Sequence, residues 1–388
     1  MRVLEVMEAT IGGTRRHLVD LAGGLLAAGD EVHLCVANER EPRFGADLKD
    51  LAARGAHVHL LPMARSIAPR RDWGHMKELA ELVRQIQPDV VHTHSSKAGV
   101  LGRVAATRGG CAATVHTPHT FAFLFDAMFS APKRHLFRAI EGRLARRTTR
   151  MIAVSAGEAA TMVEAGVVPV ERVRVVANGV SPARWRGVAA ADRGELGLPA
   201  SAPVILVAGL LNTAKGQDLA IQALSSAGMQ SCPEAQLVLA GHGEDLPALE
   251  ALAAEHGLTE RVSFLGWRED LPALMAMADV VLLPSRWEGM PYVVLEAMAA
   301  GKPVVATRVD GASDLVVPRE TGLLVDVGDT NGMGVALAEL LALEPEGLAQ
   351  MGAAGAARVC SNYTIEHMVA ATRDVFREAM EAARGRQR

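Results

Sequence analysis

No run of apolar residues in this chain approaches the roughly 18 that a membrane-spanning helix requires, so no segment reads as a span. Residues 1–6 lead directly into strand-like sequence that Glu5 and Glu8 interrupt, and no secretory leader is expected. Cysteine is scarce. Cys35, Cys111, Cys232 and Cys360 stand far apart with no C-x-x-C pair, which reads as small core residues in a reducing cytoplasm. No Asp-x-Asp pair occurs, so a divalent ion bridging a diphosphate through that motif is not expected; no metal ligand and no cofactor is assigned. The formal charge of -4, with a pI near 6.4, argues against a general nucleic-acid binder. Aromatics make up only 4% of the residues, which makes the cluster Phe121, Phe123, Phe125, Phe129 and Phe137, five of eight phenylalanines, conspicuous.

Apolar sequence in regular alternation is plentiful. With 49% of 388 residues apolar, the chain exceeds what one core usually holds, and two α/β domains are the default. In the first half, strand-like runs over 3–7, 31–37, 57–61, 90–94, 113–116, 151–154 and 173–176 alternate with helical periodicity over 15–28, 73–87, 97–107, 133–149 and 156–164. Residues 181–203, with Pro182, Gly194, Gly197 and Pro199, change composition and read as a linker. The second half repeats the pattern, with strands over 204–208, 236–240, 262–265, 280–283 and 322–325 and two last helices over 333–343 and 365–383. The expected fold class is α/β, two doubly wound parallel sheets facing across a cleft, with ligand at the carboxyl ends of the strands.

One stretch carries most of the chemistry: ADVVLLPSRWEGMPYVVLEAMAAGKPVVAT, residues 278–307. An apolar strand ends at Pro284, a polar turn carries Glu288, Pro291 is expected at the first helical position, and Gly301 closes the helix. A helix N-terminus leaving a parallel sheet presents unpaired N–H groups and partial positive charge, which suits phosphate. Glu288 before the helix and Glu296 inside it are pure acceptors, each able to take two hydroxyl donors. Amides for phosphate flanked by two such carboxylates describe a sugar-nucleotide site. A solvated loop Glu and a surface helix Glu are the bland alternative.

Glu288 and Glu296 lie inside PS-x-x-EG-x(4)-V-LEAMA-x-GKPVVAT, which resembles the nucleotide-sugar signature of glycosyltransferase family 4, a retaining family with the GT-B fold. The resemblance extends over nearly the whole chain. It implies an acceptor-binding domain over 1–185, a nucleotide-sugar domain over 186–365 and a helix over 366–388 crossing back to the first. It further implies that Glu296 holds the ribose hydroxyls and Glu288 those of the hexose, with Met290, Pro291, Tyr292 and Val293 around the donor. Lys215, in GLLNTAKG after the first strand of the second half, is placed to stabilise the departing diphosphate; Trp267 joins the donor site. Where the family has arginine this chain has Leu210, so a bidentate partner of the diphosphate is lost: either Lys215 and the helix amides suffice, another arginine such as Arg286 or Arg268 substitutes, or catalysis is weakened.

In the first half, Gly12-Gly13 resembles the family's glycine loop, where backbone comes close to ligand. VHTPHTFAF resembles the segment beside the donor sugar, which makes His119 the candidate nearest the reaction, as a hydrogen-bonding group, with Thr120 contacting sugar or acceptor. HTHSSKAGVLGR resembles members that build surface polysaccharides and implies His94, Ser96 and Lys97 in an acceptor pocket. H-x-H and H-x-x-H also invite a metal reading, against which stands the satisfied strand-end histidine. The phenylalanines precede a basic helix carrying Lys133, Arg134, Arg138, Arg143, Arg146 and Arg147, which suits either a lipid-facing patch at the inner membrane surface or a solvated basic face. The resulting expectation is a cytoplasmic hexosyltransferase that uses a UDP-hexose or UDP-N-acetylhexosamine and a glycan or lipid-linked acceptor. A sugar-nucleotide epimerase of the same fold and a non-catalytic sugar-nucleotide binder stay open.

Overall fold

The computed structural model describes all residues except 42, 65, 125–128 and 388, and the side chains of 386 and 387 are likewise outside the description. The chain divides into two compact units, Met1–Asn178 with Ile365–Arg388, and Gly179–Thr364.

The first unit is a parallel sheet of seven strands: β1 (Arg2–Met7), β2 (Glu31–Val36), β3 (His57–Leu60), β4 (Val90–His94), β5 (Thr114–Thr117), β6 (Arg150–Ala153) and β7 (Val173–Val175), in the order β3-β2-β1-β4-β5-β6-β7. Helices α1 (Gly12–Ala27), α2 (Phe44–Ala53), α3 (Pro69–Ile86), α4 (Ser96–Gly109), α5 (Ala131–Ala145) and α6 (Ala156–Glu164) connect them. A parallel sheet covered on both faces forces its central strands to be apolar throughout. Val3, Leu4, Val6, Val90 and Val91 are accordingly fully buried, and Glu5 shares that burial. Ser155 accepts the amide hydrogen of Glu158 and starts α6 where the sequence places a cap.

The second unit holds six parallel strands, β8 (Val204–Ala208), β9 (Gln236–Ala240), β10 (Val262–Gly266), β11 (Val280–Leu283), β12 (Val304–Thr307) and β13 (Gly322–Val325), in the order β10-β9-β8-β11-β12-β13. Its helices are α7 (Gln217–Ser225), α8 (Leu246–Glu255), α9 (Leu271–Met277), α10 (Tyr292–Ala299), α11 (Asp310–Leu315), α12 (Thr330–Leu341) and α13 (Pro345–Asn362). The expectation of two doubly wound α/β sheets therefore holds. Residues 181–203, read as a linker, are fastened to this unit. Arg193 donates to the carbonyls of Ala200, Ala202 and Met277, and the Ala191 amide to the Ala273 carbonyl. The final helix α14 (Ile365–Gln387) belongs to the first unit, where Val369, Phe376 and Ala379 are buried in one core with Leu18, Leu21 and Leu25 of α1.

Two helices go unread in the sequence, the short α11 and the 18-residue α13. The sequence GLAQMGAAGAARV of α13 has three glycines, which lower helix propensity. One of them, Gly352, is there for contact. A Cβ on Gly352 would lie 1.8 Å from the Gly301 carbonyl oxygen, so α13 sits directly on the carboxyl end of α10. Gly352→Ala should therefore lower unfolding stability by about 1–3 kcal/mol, the cost of overpacking a rigid backbone contact. A urea-denaturation midpoint unchanged from the parent would show that this seat does not exist.

Candidate active site

In the second unit, β11 delivers the chain to Pro284 and a loop leading to α10. Pro291 is the residue before the helix, at φ -76 and ψ 115, rather than its first residue. Its carbonyl accepts the first internal bond, from the Val294 amide at 3.2 Å, which leaves the Tyr292 and Val293 amides ahead of the helix's own bonding. The loop is held from three sides. Thr307 Oγ1 donates to the carbonyl of Ser285 at 2.5 Å, the Arg286 amide donates to the Ala214 carbonyl at 2.8 Å, and Gly311 of α11 approaches so closely that a Cβ there would lie 2.4 Å from the Gly289 carbonyl oxygen.

Lys215 ends a short helical turn after β8 that the Asn212 side chain caps. Gly216 follows at φ +68, and a Cβ on it would lie 2.1 Å from the Pro284 carbonyl oxygen. Only glycine combines that left-handed backbone with that approach. The result brings Lys215 Nζ to 2.6 Å from Glu288 Oε1, and the Ser285 hydroxyl donates to the same oxygen at 2.8 Å. Glu296, in the middle of α10, is 7% exposed; Met290, Pro291 and Tyr292 are buried, and Val293 and Leu210 are half-buried. Trp267 is exposed and meets His242 edge to face at 5.5 Å.

Of the three outcomes open for the missing arginine, substitution by Arg286 or Arg268 meets two cations that are already engaged. Arg286 is engaged bidentately by Asp218 at 2.8 and 2.6 Å and also donates to the Thr213 carbonyl at 2.9 Å. Arg268 is paired in the same way with Asp270, at 2.8 and 2.6 Å. Each guanidinium is already matched to a carboxylate of its own.

In the first unit, Gly12 and Gly13 form the exposed start of α1 instead of a loop before it. Register then builds a histidine cluster. Glu5 pairs with His92 across β1 and β4, and His94 lies two residues on, so the three share one face of the sheet. Glu5 Oε2 lies 2.9 Å from His92 Nδ1 and 2.7 Å from His94 Nε2. His94 Nδ1 lies 3.1 Å from His119 Nε2, and His17 of α1 stands edge-on to His119 with ring centroids 4.6 Å apart. His94 was expected to touch acceptor. It is fully buried with both ring nitrogens engaged, and it stands behind the half-buried His119. Lys97 is likewise held away, its ammonium 2.6 Å from Asp72 Oδ1 and donating to the Ser66 carbonyl. Ser96 is exposed at the start of α4. His119 and Thr120 adopt left-handed φ values of 54 and 92, costly for non-glycine residues. Glu158 holds that turn, accepting the Thr120 amide at 2.7 Å on one oxygen and the Val154 amide at 2.7 Å on the other.

Sequence reasoning missed Glu5, His17, Asn178, Glu158 and Ser285 as parts of these sites. The available signal was a carboxylate at Glu5 inside an otherwise apolar central strand.

Of the phenylalanines, Phe121 and Phe123 are core residues, stacked at 4.8 Å and packed with Met151 and Met162. Burial removes them from any lipid-facing patch. Phe129 and Phe137 pack edge to face at 5.2 Å, and Phe125 lies outside the described residues. Lys133, Arg138, Arg143, Arg146 and Arg147 are exposed along and just beyond α5. No helix among the described residues is long and apolar enough to cross a membrane.

Known proteins resemble both units. Residues 11–184 match the model of Glycosyltransferase Family 4, and residues 189–358 that of glycosyl transferases group 1. In fold, the chain superposes on the Anabaena protein HepE, solved with UDP and glucose, with a TM-score of 0.81 over 96% of this chain and 98% of that one, at 22% identity. The two family models and the fold together define a glycosyltransferase of the GT-B class. The chain is 30% identical over 274 residues to the Escherichia coli UDP-Gal:alpha-D-GlcNAc-diphosphoundecaprenol alpha-1,3-galactosyltransferase, covering 69% of this chain and 70% of that one. It is 33% identical to the D-inositol 3-phosphate glycosyltransferase of Acidothermus cellulolyticus, over 76% and 69% of the two chains. It belongs to glycosyltransferase family 4.

Burial sets the protonation of the histidine cluster. Desolvation, reinforced by neighbouring imidazoles, pushes His17 down to about 3 and His94 to about 4, and holds His119 well below the usual histidine range. Burial alone would raise the Glu5 carboxyl, but His92 and His94 outweigh it and bring it down to about 2. All four groups bind protons less readily when folded than when unfolded. Their stabilisation is present above pH ~6.5 for the rings and above pH ~4.5 for the carboxyl, and falls away as pH drops below each. Unfolding free energy should fall between pH 7.5 and pH 5 by on the order of 2 kcal/mol or more. Urea denaturation at those two pH values checks this, and equal values would refute the neutral, buried cluster.

Proposed function

We propose that this glycosyltransferase moves a hexosyl unit from a UDP-sugar to a hydroxyl of a glycan or lipid-linked acceptor in surface polysaccharide or glycoconjugate synthesis, with retention of the anomeric configuration. The single observation that carries the donor half is Lys215 meeting Glu288 at the amino end of α10. A diphosphate at that helix end takes the Tyr292 and Val293 amides and the helix's partial positive charge. Lys215 then shifts its ammonium to the phosphates, where charge develops as the glycosidic bond breaks. Glu288 keeps its place through Ser285 and turns to the hexose hydroxyls, while Glu296 receives the ribose hydroxyls. Leu210 offers no cation, so Lys215 and the amides carry the leaving group. His119 hydrogen-bonds the sugar, held in position by His94 behind it and by the turn that Glu158 fixes.

The choice of UDP rests on relatives: the name of the Escherichia coli enzyme contains UDP-Gal and a diphosphoundecaprenol-linked sugar, and the HepE crystal holds UDP and glucose. A lipid-linked acceptor also suits the exposed basic residues at α5, which would meet anionic headgroups at the inner membrane surface.

A panel of nucleotide sugars should show one UDP-sugar that raises Tm, since a ligand at 100 times its Kd adds about 2.7 kcal/mol. Glu296→Ala should abolish the shift. Lys215→Ala should keep the fold and lower kcat by about 100- to 1,000-fold. A UDP-sugar shift that survives Glu296→Ala would remove the ribose assignment, and undiminished turnover by Lys215→Ala would remove the leaving-group role.

A further inference from the structure

Three imidazoles of the first unit converge in a way that sugar binding does not explain. One ring nitrogen from each of His17, His94 and His119 lies within 4.8 Å of the other two. Which nitrogens these are follows from what stands behind the rings. His17 Nδ1 is 2.9 Å from Asn178 Oδ1, and His94 Nε2 is 2.7 Å from the Glu5 carboxylate. Each of those oxygens accepts a ring N–H, so the lone pairs of His17 and His94 are left on Nε2 and Nδ1. His119 completes the set through Nε2, 3.1 Å from His94 Nδ1.

We propose that His17, His94 and His119 form a binding site for one first-row divalent ion of the zinc type, with Asn178 and Glu5 orienting two of the ligands. Three neutral imidazoles are a donor set for such ions. With metal–nitrogen bonds of about 2.0–2.1 Å, tetrahedral ligands stand about 3.4 Å apart, close to the His94–His119 separation. An oxygen behind the far nitrogen of a ligating imidazole is the usual support of such sites.

A plain hydrogen bond between His94 and His119 explains that one contact. It leaves His17 Nε2, on a ring that is 3% exposed, without a hydrogen-bond partner among the described residues. A buried acceptor left unmatched costs about 1–3 kcal/mol, and an ion satisfies all three nitrogens at once. The left-handed His119–Thr120 turn is the strained backbone that sets the third ring in place. Because His119 is half-buried while the other two rings are buried, a fourth coordination position is open on its side. An ion on Nε2 also keeps the His119 proton on Nδ1, so the ring would present a donor to a sugar oxygen.

Two other clusters are weaker. In Glu5, His92 and His94 both rings already crowd one carboxylate oxygen, Glu5 Oε2, and Glu31, His33 and His57 lie partly exposed at β2 and β3.

The test uses untagged full-length protein freed of metal by chelator, with no nucleotide sugar present, so it stands apart from the transfer reaction. Calorimetric titration with Zn²⁺ should show one equivalent bound, and Co²⁺ should give the intense visible bands of four-coordinate geometry. His17→Ala and His119→Ala, each checked for native circular dichroism, should weaken that equivalent by about 100-fold or more, and Asn178→Ala by about 10-fold. His33→Ala and His57→Ala should leave it intact. Absence of saturable binding, loss only in the His33 or His57 variants, or the weak bands of six-coordinate Co²⁺ would each overturn the proposal.

Discussion

The Gly216 backbone lies so close to the Pro284 carbonyl that no side chain fits between them. That contact joins the segment after β8 to the segment after β11, and it places Lys215 against Glu288. Parallel strands make such contacts possible, because neighbouring strands all end on the same edge and send their loops out together. The same edge brings Gly241 onto the Gly209 carbonyl and Gly243 onto the Leu211 carbonyl. The polar side chains thus stand on backbone packed as tightly as the core. A lysine on a flexible loop would lose much of its electrostatic effect to reorganisation, whereas one held in place acts at no such cost.

The first unit solves a different problem. Glu5 places a fully buried carboxylate in the centre of a parallel sheet, where desolvation opposes the charge. Two imidazoles from the adjacent strand compensate it, and one of them supports His119. A buried group of this kind is a weak source of stability and a strong source of orientation, since removing one partner strands the other. The order runs outward from sheet to loop: Glu5 fixes His94, and His94 faces His119. Glu158 does the same for the backbone, holding the Thr120 amide against its own helix cap. The polar network therefore defines where the half-buried His119 stands.

The basic helix α5 shows how burial divides residues that are neighbours in sequence. Phe121 and Phe123 turn into the core with Met151, Val167 and Val168, while the cations that follow them face solvent. Composition placed aromatics and cations in one patch; packing separates them because a short helical turn over Ala122–Leu124 redirects the chain.

The sequence by itself determined the alternation of strands and helices and the family. The apolar runs of parallel strands are long enough and regular enough to read, and the Glu288 to Glu296 spacing is local. Strands such as β4, β8, β9, β11 and β13 stand at the residues their apolar runs mark. The sequence was silent on α13, because glycine spacing that permits close packing lowers local helix propensity at the same time. It was also silent on partners. Whether Arg286 faces a phosphate or Asp218, and whether His94 meets a substrate or Glu5, depends on which distant segments share a strand edge. Only the tertiary structure decides that, because a side chain's charge and hydrogen-bonding capacity are local properties, and the group that satisfies them lies dozens of residues away in the chain.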